Sequence, residues 1–414
     1  MLKIVFLTAY FYPELIASSR LSEGLRDRLC EEKDTVIKIY TPSPTRGITK
    51  EKRQLYTKSL KREVHNGGKI TVYRFSLFRE GKNPVFRALR YLLACVKHFY
   101  YGCRAKDADV IFVASTPPIQ GAMAAMVKKV TGVPVVYNLQ DIFPDSLVGT
   151  GLAKKGGILW KIGRKIEDFT YRNVDKIIVI SEDFKRNIMA KGVPEEKIEV
   201  IYNWVDEKAV VPIEKKNNPL FEELGISRDL FHVVYAGNLG HAQNVQVLLD
   251  CAKRLRNERG IEFVVLGTGG LKEEYEKYAR ENELNNVKFF PLQPMEKVAQ
   301  VYSMADVALV SCKKGLGGSA MPSKTWSILS AGTPVVCSFD KGGDLQRIIE
   351  DNQLGLFSEA GDVEGLVENV LFFYQNKEIC REYGKNGRAF IEKNLTREVG
   401  TAKYVQVLKQ FEKK

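Results

Sequence analysis

A lysine at the mouth of a helix, with glycines ahead of it, is one way for a chain to hold phosphate. The stretch Gly317 to Ser338, GGSAMPSKTWSILSAGTPVVCS, has both. It enters through glycines, passes Pro322-Ser323-Lys324 and runs as a helix to Ala331-Gly332. Gly at a helix end with Pro just beyond is a stop signal, so Thr333-Pro334 should turn into the strand Val335-Val336-Cys337. Free N–H groups and the helix dipole would meet an anion near Ser323, and Lys324 would add a full charge.

Two glycine corners could complete such a seat. In Phe231 to Gly240 a strand runs into a turn, where Gly237 and Gly240, with Asn238 between them, allow close backbone approach to a phosphate. A plain strand-to-helix turn is the other reading. The GxGxxG spacing is missing, which disfavours a dinucleotide. In Val264 to Gly270, the glycines Gly267, Gly269 and Gly270 could let a nucleotide base lie against the backbone, and a tight turn with no ligand is equally open. His241, at the mouth of the Gly237 loop, is a further candidate contact.

Carboxylates fall at strand ends earlier in the chain. Glu14 and the helix start Ser18-Ser19-Arg20 follow the first strand, and Gln140-Asp141 follow the strand that ends near Asn138. A carboxylate there could orient an acceptor hydroxyl or take its proton, although an Asx turn ahead of Pro144 would also use Asp141. Asp107-Ala-Asp109 has the look of a metal-binding DxD, but it precedes its strand where a ligand pair should follow one. The four histidines, 65, 98, 232 and 241, share no ligand spacing, so no metal site is expected.

These residues need a scaffold, and the hydrophobic pattern supplies two passes of alternating strand and helix. The first has strands at Lys3–Thr8, Val36–Tyr40, Lys69–Phe75, Val110–Ala114, Val133–Asn138 and Lys176–Ile180. The second has strands at Phe231–Tyr235, Glu262–Leu266, Val287–Phe290, Val307–Val310 and Thr333–Ser338. The expectation is α/β, with two doubly wound domains, 1–205 and 206–394, facing across a cleft and a tail helix, 395–414, crossing back to the first. Seven scattered cysteines with no CxxC imply neither a zinc site nor a disulfide framework. The chain opens on a strand, and no run reaches the ~18 apolar residues of a membrane span. A cytoplasmic protein is expected.

Net charge is +13, and its distribution is uneven. Residues 46–106 hold 16 basic and 3 acidic residues, so that segment alone accounts for the whole excess. A helix from about Pro84 to Cys103 lies in it. Arg90, Lys97 and Arg104, spaced by sevens, should share a face beside a broad apolar arc that includes Phe86, Leu89, Leu92 and Val96. Such a helix can rest on anionic lipid, or pack on its own sheet with its lysines solvated. Charge concentration favours the lipid. With no RNP, KH or helix-turn-helix pattern, nucleic acid is not an expected partner.

The ordered set TAYFYPE, VASTPP, LQDIFPDS, VISE, YNWVD, YAGNLG, VVLGTGG, MADVALV and PSKTWSILSAGTPVV spans nearly the whole chain. It resembles the GT4-type retaining glycosyltransferases, most closely the WbuB-like and colanic-acid-type branch that builds bacterial surface polysaccharides. That resemblance implies a GT-B fold, with a nucleotide-sugar donor, expected to be a UDP-sugar, on the second domain. A lipid-linked or oligosaccharide acceptor would occupy the first. No cofactor or metal is implied beyond the donor. Catalytic roles fall to Lys324, which would stabilise the departing diphosphate, and to Asp141 or Glu14, which would orient the acceptor. Many members carry two glutamates eight residues apart around this opening motif; here those positions are Ser319 and Ser327. The second glutamate usually holds the donor ribose, and Ser327 stands in its place, so the stretch is expected to seat the phosphates rather than the ribose. A UDP-sugar epimerase of the same fold and a non-catalytic glycan- or lipid-binding module remain as alternatives.

Overall fold

Runs of β-branched and aromatic residues, apolar on both faces, set the centre of each half, because a parallel strand covered by helices on either side meets no water. The computed structural model describes residues 1–14, 17–81, 83–149 and 153–413, with backbone only at 17–20, 84 and 149. Contacts divide the chain into two compact units, Met1–Tyr202 with Glu398–Lys414, and Asn203–Arg397.

The first unit holds β1 (Leu2–Leu7), β2 (Thr35–Pro42), β3 (Arg62–His65), β4 (Ile70–Phe75), β5 (Val110–Ala114), β6 (Val135–Leu139), β7 (Lys176–Val179) and β8 (Ile198–Val200). Their spatial order is β3-β4-β2-β1-β5-β6-β7-β8, parallel throughout except for the β3–β4 hairpin. The order reverses between β1 and β5, which opens a crevice at the C-terminal ends of those strands. Right-handed crossovers from β4, β5 and β6 put the helices Pro84–Gly102, Gln120–Thr131 and Ile158–Asn173 on one face of this sheet. Gly121 lets the middle helix approach closely, since a Cβ there would lie only 2.5 Å from the Thr170 methyl.

The second unit is a six-stranded, wholly parallel sheet: β9 (Phe231–Asn238), β10 (Ile261–Thr268), β11 (Val287–Phe290), β12 (Val307–Ser311), β13 (Val335–Phe339) and β14 (Gly355–Glu359). Its order is β11-β10-β9-β12-β13-β14, with the reversal between β9 and β12. Phe263, Val265, Leu248, Leu249 and Phe373 are fully buried in its core. Three strands lie outside the sequence expectation, β3, β8 and β14. All are short edge or near-edge strands with weak apolar patterns.

The last helix, Arg397–Lys409, docks on the first unit. The Tyr404 hydroxyl lies 3.1 Å from Asn138 Oδ1 at the end of β6, and its ring meets Phe112 edge-on at 6.1 Å. Lys409 pairs with Glu32 at 2.6 Å. Tyr404→Phe should therefore cost about 1 kcal/mol, one net hydrogen bond. Tyr404→Ala should cost about 4 kcal/mol through lost packing. Urea unfolding measures both; an Ala variant within about 0.5 kcal/mol of wild type would show that the tail is not part of the unit's cooperative core.

Candidate functional site

The site in the second unit is built at the β9–β12 reversal. Tyr235 and Gly237 lie two residues apart on β9, so they share a face of the strand. Lys324 opens the helix Lys324–Ser330 and sends its side chain to that face. Its Nζ lies 3.8 Å from the Tyr235 ring centroid. Gly237 has φ +145°, and a Cβ placed on it would come within 3.2 Å of the same nitrogen. Only glycine keeps the space in front of the amine open.

The Lys324 stem is partly exposed but its amine is buried, with no hydrogen-bond partner among the described residues. Burial alone pushes its pKa down to about 7, with no neighbouring charge contributing. The Tyr235 ring face favours the ammonium form and works against that shift. A desolvated amine without a counter-ion lacks an anion, and a diphosphate is an anion of suitable size and charge to supply what is missing.

The surrounding loops are rigidly braced. Tyr235 donates its hydroxyl to the Asn238 carbonyl at 2.6 Å, and Asn238 Nδ2 donates to Gln243 Oε1 at 3.0 Å. Leu239 N–H donates to Thr268 O, and Leu271 N–H to Leu239 O, so the β9 and β10 turns interlock. Gly267 and Gly269 serve this interlock: a Cβ on Gly269 would lie 2.3 Å from Leu239 O, and one on Gly267 would lie 2.7 Å from Gly237 O. Their primary demand is turn-to-turn packing rather than room for a base, and Gly270 alone faces open space. Gly240 is extended and exposes its neighbours Asn238 and His241 to solvent.

The helix start is weaker than the sequence suggested. The helix has seven residues, the Ser323 side chain caps nothing, and Thr325 and Trp326 N–H groups turn back onto the Pro322 and Ser323 carbonyls. Lys324 therefore carries the positive potential, and the dipole of so short a helix adds little. Ser319 Oγ donates to Leu316 O at 3.3 Å, and Ser327 is half-buried one turn beyond Lys324. One group escaped the sequence reading: Asp340, just after β13, accepts from Gly315 N–H at 2.9 Å and Gly317 N–H at 2.7 Å. It fixes the loop that delivers Lys324. Tyr235 was also missed, although its placement two residues before Gly237 was visible.

In the first unit the two carboxylates behave differently. Glu14 is buried and accepts from Thr45 N–H at 2.7 Å and Arg46 N–H at 3.0 Å. Burial pushes its carboxyl up, and these backbone donors oppose the rise. These bonds hold the loop after β2. Asp141 is solvent-exposed, yet the protein around it raises its pKa while Ser146 opposes the rise. Gln140 donates from its backbone to Ser115 Oγ and from Nε2 to Asn138 Oδ1, which leaves Asp141 at the rim of the strand ends. Residues 15–16 and the side chains of Ser18, Ser19 and Arg20 lie outside the described residues.

The Asp107–Asp109 pair is structural: Asp107 pairs with Lys38 at 3.1 Å, and Asp109 accepts Lys3 N–H at 2.7 Å. A concavity of about 760 Å³ lies elsewhere, lined by Glu276, Arg280, Asn285 and Val287 at the opening of edge strand β11. That is the opposite end of the strands from Gly237, and it holds none of the groups above.

The buried amine costs stability, and the sign of its pH dependence follows. Below pH ~7 the folded and unfolded chains both hold the proton, and the cost of burying the charge is full. As pH rises from ~7 to ~10.5 the fold holds a neutral amine while the unfolded chain stays charged, so the cost shrinks and vanishes. Lys324→Met should raise the stability of the ligand-free protein by about 1–4 kcal/mol at pH 7 or below, and the gain should fade by pH ~10. Thermal unfolding of both proteins across that range tests this; a gain independent of pH would show that the amine is not desolvated.

Comparison with known proteins agrees with this geometry. Residues 35–209 match the model for Glycosyltransferase Family 4, and residues 217–390 match that for Glycosyl transferases group 1. The putative colanic acid biosynthesis glycosyl transferase WcaI of Escherichia coli is 29% identical over 80% of this chain and 83% of its own. The probable glycosyltransferase WbjE of Pseudomonas aeruginosa is 25% identical over 73% of this chain and 74% of its own. Among solved structures, Anabaena Alr3699/HepE in complex with UDP aligns with a TM-score of 0.73 at 15% identity, covering 99% of this chain and all of that one. WaaG, a glycosyltransferase involved in lipopolysaccharide biosynthesis, aligns with a TM-score of 0.67 at 13% identity, covering 98% and 99%. With a glycosyltransferase model on each half, two α/β units and GT-B enzymes as structural neighbours, this chain is a glycosyltransferase of the GT-B fold, matching family 4 in its first half and group 1 in its second.

Proposed function

We propose that the enzyme transfers a sugar, with retention of anomeric configuration, from a UDP-sugar to a lipid-linked or glycan acceptor in the making of bacterial surface polysaccharide. The observation that carries the reading is the uncompensated Lys324 amine beside Gly237 at the β9–β12 reversal. The names of WcaI and WbjE support glycosyl transfer, that of WcaI supports polysaccharide synthesis through colanic acid, and the UDP held by the HepE neighbour supports the nucleotide.

The step balances without a cofactor. The bond from the anomeric carbon to the diphosphate oxygen breaks, and both electrons leave with the phosphate. Lys324, protonated once the anion has arrived, neutralises the charge as it develops. The acceptor hydroxyl oxygen bonds to the same face of the sugar, and its proton passes to the departing phosphate oxygen. Asp141 orients that hydroxyl, while Glu14 shapes the loop beside it. Ser327 and Ser319 take the ribose and sugar side of the seat, with Pro322 and Ser323 fixing the approach of Lys324. The working place is the cytoplasmic face of an anionic membrane, where the protein is peripheral; among the described residues no helix is long and apolar enough to cross one.

Lys324→Ala should lower turnover by about two decades or more, the usual effect of losing a charge-stabilising donor. Lys324→Arg should retain part of it. Release of UDP from a panel of UDP-sugars, with the product anomer assigned by NMR, decides the reading. Full activity of the Ala variant, an inverted product, or epimerisation without transfer would each overturn it. UDP affinity should also fall as pH rises above ~7, by up to about tenfold per unit, because a neutral amine must first take up a proton. That slope should disappear in Lys324→Met, and a slope that persists would move the titration to another group.

A further inference from the structure

The helix Pro84–Gly102 is inverted relative to an ordinary sheet-covering helix. Its inward side mixes small apolar residues, Ala94 and Cys95, with polar ones: Arg90 is 2% exposed and donates to Phe78 O at 2.6 Å, and His98 is fully buried against Gln120. Tyr91 shares a 2.9 Å hydrogen bond with Tyr10. This corrects the expectation for Arg90, which lies in the protein and not on a lipid-facing flank. The outward side is apolar. Val85, Phe86, Leu89, Leu92, Val96 and Tyr100 are 45–73% exposed, and at 100° per residue they fall within one arc of about 120°.

A second exposed apolar group lies on the same face of the sheet, outside the basic segment. The helix Ile158–Asn173 opens with Ile158 at 81%, Leu159 at 51% and Ile162 at 52% exposure, all on its outward arc. The helix Gln120–Thr131 lies beside both of these helices and carries exposed Met126 and Val130. All three run antiparallel to the strands, so each begins at the C-terminal edge of the sheet.

Charge selects the occupant. The stretch 84–102 contains no acidic residue, nor does 153–166. Lys97 and Arg104 at the first patch, and Lys154, Lys155, Lys161 and Lys165 at the second, are exposed, with no ion-pair partner among the described residues. A protein partner, or a second copy, would meet a surface of one sign only. An apolar arc edged by unpaired cations fits the boundary between acyl chains and anionic headgroups.

The geometry points to a two-helix bilayer-docking surface: the outward arc of Pro84–Gly102 and the first turns of Ile158–Asn173 insert together into an anionic leaflet, with the lysines at headgroup level. This goes beyond the proposed reaction and does not depend on which donor is used.

The test is sedimentation of the full chain with phosphatidylcholine vesicles containing about 30% phosphatidylglycerol, alongside pure phosphatidylcholine. Wild type should bind the anionic vesicles and lose at least about tenfold in partition between about 50 mM and about 500 mM salt. Ile158→Glu/Ile162→Glu and Leu92→Glu/Val96→Glu should each lower partition by about tenfold or more, with unchanged melting temperature and unchanged UDP affinity. Wild-type partition by the Ile158/Ile162 variant would remove the second helix from the surface. No binding of wild type to anionic vesicles would overturn the whole proposal. A dimer that Leu92→Glu/Val96→Glu converts to monomer in sedimentation velocity would reassign the face to self-association. Vesicle binding without UDP binding would leave this surface standing and count against the donor reading.

Discussion

An amine buried against an aromatic ring, with no counter-ion among the described residues, is the constraint around which the second unit is organised. Lys324 could have snorkelled to water on its four-carbon stem, as most lysines do. Instead the loop before it is pinned by Asp340, and the helix behind it is anchored by buried Thr325, Trp326 and Ile328. The strand in front presents Tyr235, whose quadrupole partly replaces the lost hydration. An arrangement that penalises the free protein and is relieved by an arriving anion is preorganised for charge that develops later in the reaction. Stability is lowered where the chemistry needs it lowered.

The bracing explains the glycines better than a direct ligand role does. Leu239 sits between the β9 and β10 turns, exchanging backbone hydrogen bonds with Thr268 and Leu271. That lock leaves no space for side chains at Gly267 and Gly269. The turns are thereby fixed relative to each other and to Gly237. The one glycine whose missing side chain opens room in front of the reactive group is Gly237, and the rest hold it in place.

Much of this was legible because it is local. Lys324, Gly237 and the helix and strand carrying them are written in short, contiguous patterns, and the five strands expected of the second unit are all present. Three features were not legible, each for its own physical reason. The Tyr235–Lys324 contact joins β9 to the helix that follows β12, neighbours only through the order reversal, so no spacing announces it. Glu14 reads as a strand-end carboxylate, but its partners are backbone N–H groups in the loop after β2, and backbone donors leave no trace in sequence. Periodicity places Arg90 and Lys97 on one side of their helix, while Arg104 lies beyond its end at Gly102. It could not say that the edge occupied by Arg90 turns inward to meet the Phe78 carbonyl.

That inversion also relates the two properties of the first unit. The helices that expose apolar arcs start at the C-terminal edge of the sheet, because each returns from a strand end to the beginning of the next parallel strand. The same edge carries the loops with Glu14, Ser115 and Asp141. Tyr10, in the loop after β1, is tied to Tyr91 on the inward side of the Pro84–Gly102 helix and to Glu80, which Arg46 holds at 2.6 Å. The polar side of the helix is thus joined to the loops at this edge, while its apolar side is exposed. A soluble acceptor would require no such division. In the proposed reaction an acceptor carried on a lipid would, since its anchor would stay in the leaflet while its hydroxyl reached Asp141.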